Sequence, residues 1–282
     1  MSARSLRSVL AVTAAMAWLA PLGHAQTASA FDHAYTTYAS VLKRHVRGAR
    51  VDYSALKARR GELDDVVAQL GSVTADDEQR WSRAERLAYW INAYNVFTLR
   101  AIVDHYPIKG SWLSLYPRNS IRQIDGVWTE LKWRAAGRDV TLDQIEHEIL
   151  RPVFREPRVH MAINCASVGC PPLASEPYRA GELDEQLDAA TTRYLASPLG
   201  LAISGDSLQL SSIFKWFGAD FEARFAADGP AGRTGTERAL LGLVARYGPP
   251  QARDLARTGK VRIAYLDYDW SLNDTAAATS RR

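Results

Sequence analysis

Both cysteines of this 282-residue chain, Cys165 and Cys170, fall in one short stretch, VHMAINCASVGCPPL, with four residues between them. The thiolate is the nucleophilic form of cysteine. A reactive cysteine therefore needs its proton removed or its charge stabilised, commonly by a histidine that an acid or amide holds in the useful tautomer. Cys165 follows Val159, Met161 and Ile163, whose alternation with His160, Ala162 and Asn164 predicts a strand, and it precedes the small residues ASVG. A strand end followed by such a loop offers backbone N–H groups to a developing oxyanion.

A Glu146-His147 pair precedes Cys165 by fewer than twenty residues. In this pattern Cys165 is the nucleophile and His147 the base. Glu146, Asn92, Asn95 or an unassigned Asp holds the ring. Adjacent helical side chains diverge by about 100°, so Glu146 is awkward as the orienter of its own neighbour. The helical wheel also sets Glu146 inside the apolar arc of Leu142, Ile145 and Ile149 and His147 at its edge. A carboxylate so placed is paired or hydrogen-bonded, either for catalysis or as a strut. His160 is the competing base, and strand alternation sends it to the face opposite Cys165.

Asn92 and Asn95 lie three residues apart on one side of a helix that is apolar almost everywhere else. Buried amides must find partners. They either pin a neighbouring loop or, with His160, line a substrate site.

The same two thiols fit other chemistry. An even cysteine count in an exported chain is ordinarily a disulfide, and ASVG is flexible enough to bring the Cα atoms within bridging distance. So small a ring removes little chain entropy, and an exposed short bridge is also a redox centre, although the C-x-x-C spacing is absent. Zinc requires a second ligand pair, which the chain lacks, and Glu146 and His147 are adjacent rather than one helical turn apart. No metal and no cofactor is expected.

The elements that must position these residues alternate without a repeat. Two helices are expected over 31–70, joined near GARVDYSAL. SRAERLAYWINAYNVFTLRAIVDHYP predicts a central helix, opened by a Ser82/Glu85 capping box and closed by Pro107. A hairpin turning near Ala136-Gly137-Arg138 leads into TLDQIEHEILRP, a helix capped by Thr141 and Gln144 and closed by Pro152. A helix over 182–195, a hairpin turning at Gly205-Asp206, a helix over 236–247 and a last strand in VRIAYLDYDW complete the chain. The fold class is α+β, a central apolar helix packed on a largely antiparallel sheet.

With 47% hydrophobic and 10% aromatic residues the chain can bury a large core. Residues 31–273 are expected to form one globular domain, after a short linker at 26–30 and before a frayed tail at 274–282. Residues 1–25 read as a secretory signal, with Arg4 and Arg7 before an apolar run and Gly23 and Ala25 for cleavage. A periplasmic or secreted protein is therefore expected, without a stable membrane span in the mature chain. The net charge of +4 includes Arg4 and Arg7, and the remaining charges are interspersed. That pattern lacks the basic stripe of a nucleic-acid binder. The expected partner is a small-molecule, peptide or envelope substrate.

The blocks VDYSAL, AYWINAYNVFTLRAI, TLDQIEHEILR, RVHMAINCASVGCPPL, SSIFKWFGADF and YDWSLN occur in that order. Together they resemble the domain of unknown function 547 family (DUF 547), found in bacterial exported proteins and in plant proteins. No settled activity comes with the resemblance. It implies that Asn92, Asn95, Glu146, His147, His160, Cys165 and Cys170 stand in signature blocks. Plant-like members often lack the second cysteine, which implies that a disulfide is not the family's common purpose and gives Cys165 precedence.

Two expectations of function follow. One is an exported thiol-dependent hydrolase or acyl transferase acting on an amide or ester, on a rearranged papain-like or transglutaminase-like architecture, since His precedes Cys here. The other is a non-enzymatic envelope binding module whose loop is held by a Cys165-Cys170 bridge and whose contacts are tryptophans such as Trp112 and Trp128.

Overall fold

In the computed structural model, which describes residues 31–276, the helix Arg83–His105 runs through the interior and every residue from Leu87 to Leu99 is buried. Its start is fixed as the sequence predicts. Ser82 Oγ accepts the Glu85 N–H at 3.2 Å and the Glu85 carboxylate accepts the Ser82 N–H at 2.8 Å, satisfying two orphan donors. The expected secretory signal, the linker at 26–30 and residues 277–282 lie outside the described residues.

The structure is mixed, with many helices and small sheets, and the central helix packs on helices rather than on a sheet. Its main neighbours are Arg60–Ser72, Tyr53–Ala58 and Ile145–Phe154. Two of the sheets are hairpins, Val46–Arg47 with Arg50–Val51 and Trp133–Ala135 with Arg138–Val140. The third joins Leu201–Ser204 to Ser207–Leu210 antiparallel, and the latter to Arg262–Tyr265 in parallel. A helix apolar around its whole circumference needs cover on all sides, and strands of two to four residues cannot provide it. The predicted hairpin turns are present, with Ala136 and Gly137 at φ of 45° and 74° and Gly205 at 57°.

Two further expectations are corrected. VHMAIN is not a strand. Pro157–Met161 is a 3-10 turn with proline in its first turn and the Glu156 carboxylate capping the Arg158 N–H at 3.1 Å. Every residue from Glu156 to Asn164 is buried. Val159, Ala162 and Ile163 join the core around the central helix, while Met161 joins a second core built on the helix Gly235–Tyr247. The alternation thus records two cores, not two sheet faces. The Arg158 guanidinium, only 2% exposed, anchors the turn to Glu156 at 2.9 Å and to the Asp184 and Asp188 carboxylates.

Pro152, expected to end a helix, lies inside one. After the short turn Leu142–Gln144, capped by Thr141 and Gln144, the chain winds as a π-helix over Ile145–Phe154. Proline contributes no N–H and crowds the carbonyl one α-turn back, and the wider i→i+5 winding accommodates both. The tail also starts later than expected. Asp274 is buried, its carbonyl accepting from Arg50 at 3.0 Å and its carboxylate from Tyr106 OH at 2.8 Å. No helix among the described residues is long and apolar enough to cross a membrane.

Candidate thiol site

The loop that carries Cys165 hangs from the central helix. Asn95 Nδ2 donates to the Ala162 carbonyl at 3.0 Å and its Oδ1 accepts the Asn164 N–H at 2.8 Å. Asn164 in turn donates to the Pro171 carbonyl at 2.7 Å and accepts the Ala166 N–H at 2.9 Å. Asn273 and Tyr53 extend this chain of buried polar groups, with Tyr53 OH donating to Asn273 Oδ1 at 2.8 Å. Ala166, immediately after Cys165, has a φ of 58°. A left-handed alanine costs energy and persists only where its surroundings hold it. The Asn164 bond to its N–H is part of that hold.

Asn92 does the same work elsewhere. Its amide donates to the Tyr178 carbonyl at 2.8 Å and accepts the Tyr178 N–H at 3.0 Å. Both asparagines therefore pin loops, and neither lines the cavity described below. Of the two alternatives open for these amides, the bonds to backbone are those of loop pins.

Cys165 is half-buried and Cys170 buried, and both are free thiols, with the sulfurs 2.9 Å apart. A disulfide bond is about 2.05 Å. The Cys165 sulfur also lies 3.2 Å from Ser167 Oγ and 3.2 Å from Tyr268 OH. Its acidity follows from these neighbours. The hydrogen bond from the Cys170 thiol, aided by Ser167 and Tyr268 and opposed by burial, lowers the Cys165 thiol to about 7. Burial pushes Cys170 well above the ordinary thiol range. Of the two thiols Cys165 is therefore the more acidic, and Cys170 the one that holds its proton more tightly.

Gly169 permits this arrangement. A Cβ there would stand 3.0 Å from the Asp269 nitrogen and 3.1 Å from the Tyr268 ring. The loop and the chain segment bearing Tyr268 approach as closely as they do because glycine has none.

Four of the expected backbone oxyanion donors are engaged elsewhere, and the fifth, the Ser167 N–H, bonds the Cys165 sulfur. The N–H of Ala166 bonds Asn164, that of Val168 bonds the Ser271 carbonyl, that of Gly169 bonds the Asp269 carbonyl, and that of Cys170 bonds the Ser167 carbonyl. The Ser167 backbone N–H and the hydroxyls of Ser167 and Tyr268 remain beside the sulfur.

Cys165 opens into a cavity of about 460 Å³ that it shares with Glu146, His147 and His160. Its walls are aromatic, with Tyr94, Trp128, Trp216, Phe217, Tyr268 and Trp270. The two histidines differ in what their nitrogens do. His147 Nδ1 lies 2.8 Å from Arg151 Nη1. A guanidinium only donates, so Nδ1 accepts and the proton sits on Nε2, which is 3.5 Å from Asp143. Neither nitrogen of His147 is left to receive a proton from Cys165.

His160 is 3% exposed and stacks on Phe217 at 4.4 Å. Its Nε2 lies 2.8 Å from Asp220 Oδ2. Burial opposes ionisation of Asp220, but hydrogen bonds from His160 and from the two-pronged Arg151, at 2.6 and 3.0 Å, hold its carboxyl well below the usual range. The carboxylate therefore accepts from Nε2–H and leaves Nδ1 as the basic nitrogen. Nδ1 has no hydrogen-bond partner among the described residues, the nearest carboxylate oxygen, on Glu146, being 3.9 Å away. Buried Glu146 also receives Tyr94 OH at 3.3 Å.

The structure thus brings Cys165, His147, His160 and Glu146 to one cavity, and it sets the Asp220 carboxylate on His160. Asp220 and Tyr268 were missed individually, although both stand in conspicuous blocks, SSIFKWFGADF and YDWSLN. Of the two tryptophans considered as contacts, Trp112 is exposed and Trp128 lines the cavity.

Comparison with known proteins places a match to the family model DUF547, a protein of unknown function, over residues 78–195. That span holds the central helix, the Glu146-His147 pair, His160 and both cysteines. No curated protein and no solved structure matches the chain.

Proposed function

From a chain whose residues 78–195 match the DUF547 family, we propose an exported thiol-dependent hydrolase or acyl transferase acting on an ester or amide. One observation carries this proposal. A sulfur within hydrogen-bond distance of a second thiol and two hydroxyls opens into the same cavity as a histidine bonded to a carboxylate. Depressed thiol acidity and an oriented imidazole are what nucleophilic catalysis by cysteine requires.

In the proposed reaction the Cys165 thiolate attacks the acyl carbon and a C–S bond forms. The hydroxyls of Tyr268 and Ser167, each 3.2 Å from the sulfur, and the Ser167 N–H turn to the oxyanion as the negative charge moves there. As the leaving oxygen or nitrogen takes a proton from a cavity water, collapse expels the alcohol or amine and leaves hydroxide. His160 Nδ1 then draws a proton from an incoming water or acceptor nucleophile, Asp220 stabilises the imidazolium, the C–S bond breaks to restore the thiolate, and the imidazolium returns its proton to the hydroxide. The chemistry resembles that of papain-like and transglutaminase-like enzymes. The order His160, Cys165, Asp220 departs from theirs, so the architecture would be a rearranged one.

Incubation with 4-nitrophenyl acetate, followed by intact mass and peptide mapping, tests the proposal. An acetyl thioester on Cys165 is expected in the native protein and in Cys170→Ser, with none at position 165 in Cys165→Ala and with nitrophenol release in that variant falling to background. Equal nitrophenol release by the native protein and Cys165→Ala would remove Cys165 from the reaction.

A further inference from the structure

Arg122 lines the same cavity, and it is held there by rings rather than by acids. Its guanidinium carbon lies 4.2 Å from the Trp270 ring centre, 4.8 Å from Tyr116 and 5.4 Å from Trp128. No carboxylate among the described residues lies within ion-pair distance of it. The cavity's own acids are committed locally, Asp143 beside His147 and Glu146 beside Tyr94 and His160.

The surroundings fix this arginine in place. Ser120 Oγ accepts the Arg122 N–H at 3.2 Å, capping its turn. Gln123 holds the Tyr116 carbonyl at 3.1 Å, placing that ring. An arginine stacked by aromatic faces keeps its charge and presents its planar fork with little rotamer freedom left to lose. Such a fork matches a carboxylate in two parallel hydrogen bonds.

An unbroken aromatic wall joins this cation to the sulfur. Arg122 stacks on Trp270, Trp270 lies 4.6 Å from the Tyr268 ring centre, and Tyr268 OH touches the Cys165 sulfur at 3.2 Å. A ligand lying along that wall meets the nucleophile at one end and the guanidinium at the other.

We infer that Arg122 is the specificity residue of this cavity and that the acyl substrate carries a carboxylate. This rests on the assignment of Cys165 as the nucleophile. The substrate class is an ester or amide whose acyl portion, or the segment attached to it, ends in an anionic carboxylate and spans the aromatic wall.

The test uses N-bromoacetyl ω-amino acids of graded length and their uncharged amides. Each alkylates a thiolate by forming a C–S bond and expelling bromide. The rate of adduct formation at Cys165 is read by peptide mass. One chain length is expected to react about tenfold faster as acid than as amide, as a charge-assisted contact gives. Arg122→Gln should abolish that preference, acid and amide then reacting at the same rate within that variant, and Arg122→Lys should retain part of it. Raising the salt concentration should shrink it.

Equal slowing of acid and amide in Arg122→Gln, or no acid preference at any length, would overturn the inference. A binding arm separates this from failure of the nucleophile. Titration of tryptophan fluorescence with the unreactive N-acetyl acids and amides reports occupancy beside Trp128 and Trp270 whether or not Cys165 reacts. Acid-selective binding lost in Arg122→Gln supports the carboxylate site even if no adduct forms at Cys165. Unselective binding overturns it.

Discussion

Replacement of His160 by glutamine is expected to slow breakdown of the acyl-enzyme by about 10²- to 10⁴-fold, the range for loss of a positioned general base. Glutamine keeps much of the volume stacked on Phe217, so the loss reports chemistry rather than a void. Asp220→Asn should have a smaller effect in the same direction, because an amide in place of the carboxylate no longer stabilises the imidazolium. His147→Gln should change the rate little, its Nδ1 being taken by Arg151. The measurement is a single-turnover assay of deacylation after stoichiometric acylation. Greater loss in His147→Gln than in His160→Gln would reverse the assignment of the base.

Arg158→Met is expected to destabilise the fold by about 3 kcal/mol, the lower end of the cost of leaving buried charge unpaired. The side chain is buried and grips Glu156, Asp184 and Asp188. The loss stays at the lower end because Arg224 still pairs with Glu156, and Asp184 is largely exposed. The turn Pro157–Met161, which carries His160, is tied down by this arginine, so unfolding should begin with loss of His160's position. Urea denaturation measures the effect. A second substitution, Glu156→Gln, should recover part of it by removing the charge that was stranded. Unchanged stability of Arg158→Met would show that the network contributes nothing net.

The sequence makes the central helix, its capping box, both longer hairpins and the burial of Glu146 legible, because each depends on local spacing. What it conceals is set by contacts distant along the chain. Val159, Met161 and Ile163 have strand spacing, yet they belong to two different cores, a partition no local pattern carries. The argument that turns His160 away from Cys165 rests on that same alternation, and the 3-10 turn removes it. Asn92 and Asn95 are correctly read as buried amides in need of partners, and their partners are loops. Asp220 and Tyr268 lie 55 and 103 residues beyond Cys165 in the chain, so their roles emerge only when the fold closes.

The resemblance noted on the sequence is matched over residues 78–195 by the family model. Asp220, Tyr268 and Trp270 fall outside that span, in the C-terminal part of the chain. The carboxylate bonded to His160, one of the hydroxyls beside the sulfur and a ring that stacks Arg122 therefore come from beyond the matched segment.

The ionisation of Cys165 at neutral pH underlies the whole mechanism, and the pH dependence of its alkylation by iodoacetamide tests it directly. The midpoint, rather than the rate at one pH, is the quantity to read, because a more acidic thiolate is also intrinsically less nucleophilic. Reactivity at Cys165, read by peptide mass, should rise with pH through a midpoint near 7 in the native protein. That midpoint should move toward the ordinary thiol value of about 8.5 in Cys170→Ala and in Tyr268→Phe, which each remove a donor. A native midpoint at or above 8.5, or a Cys165 that reacts only after chemical reduction, would contradict the thiolate and the enzyme built on it.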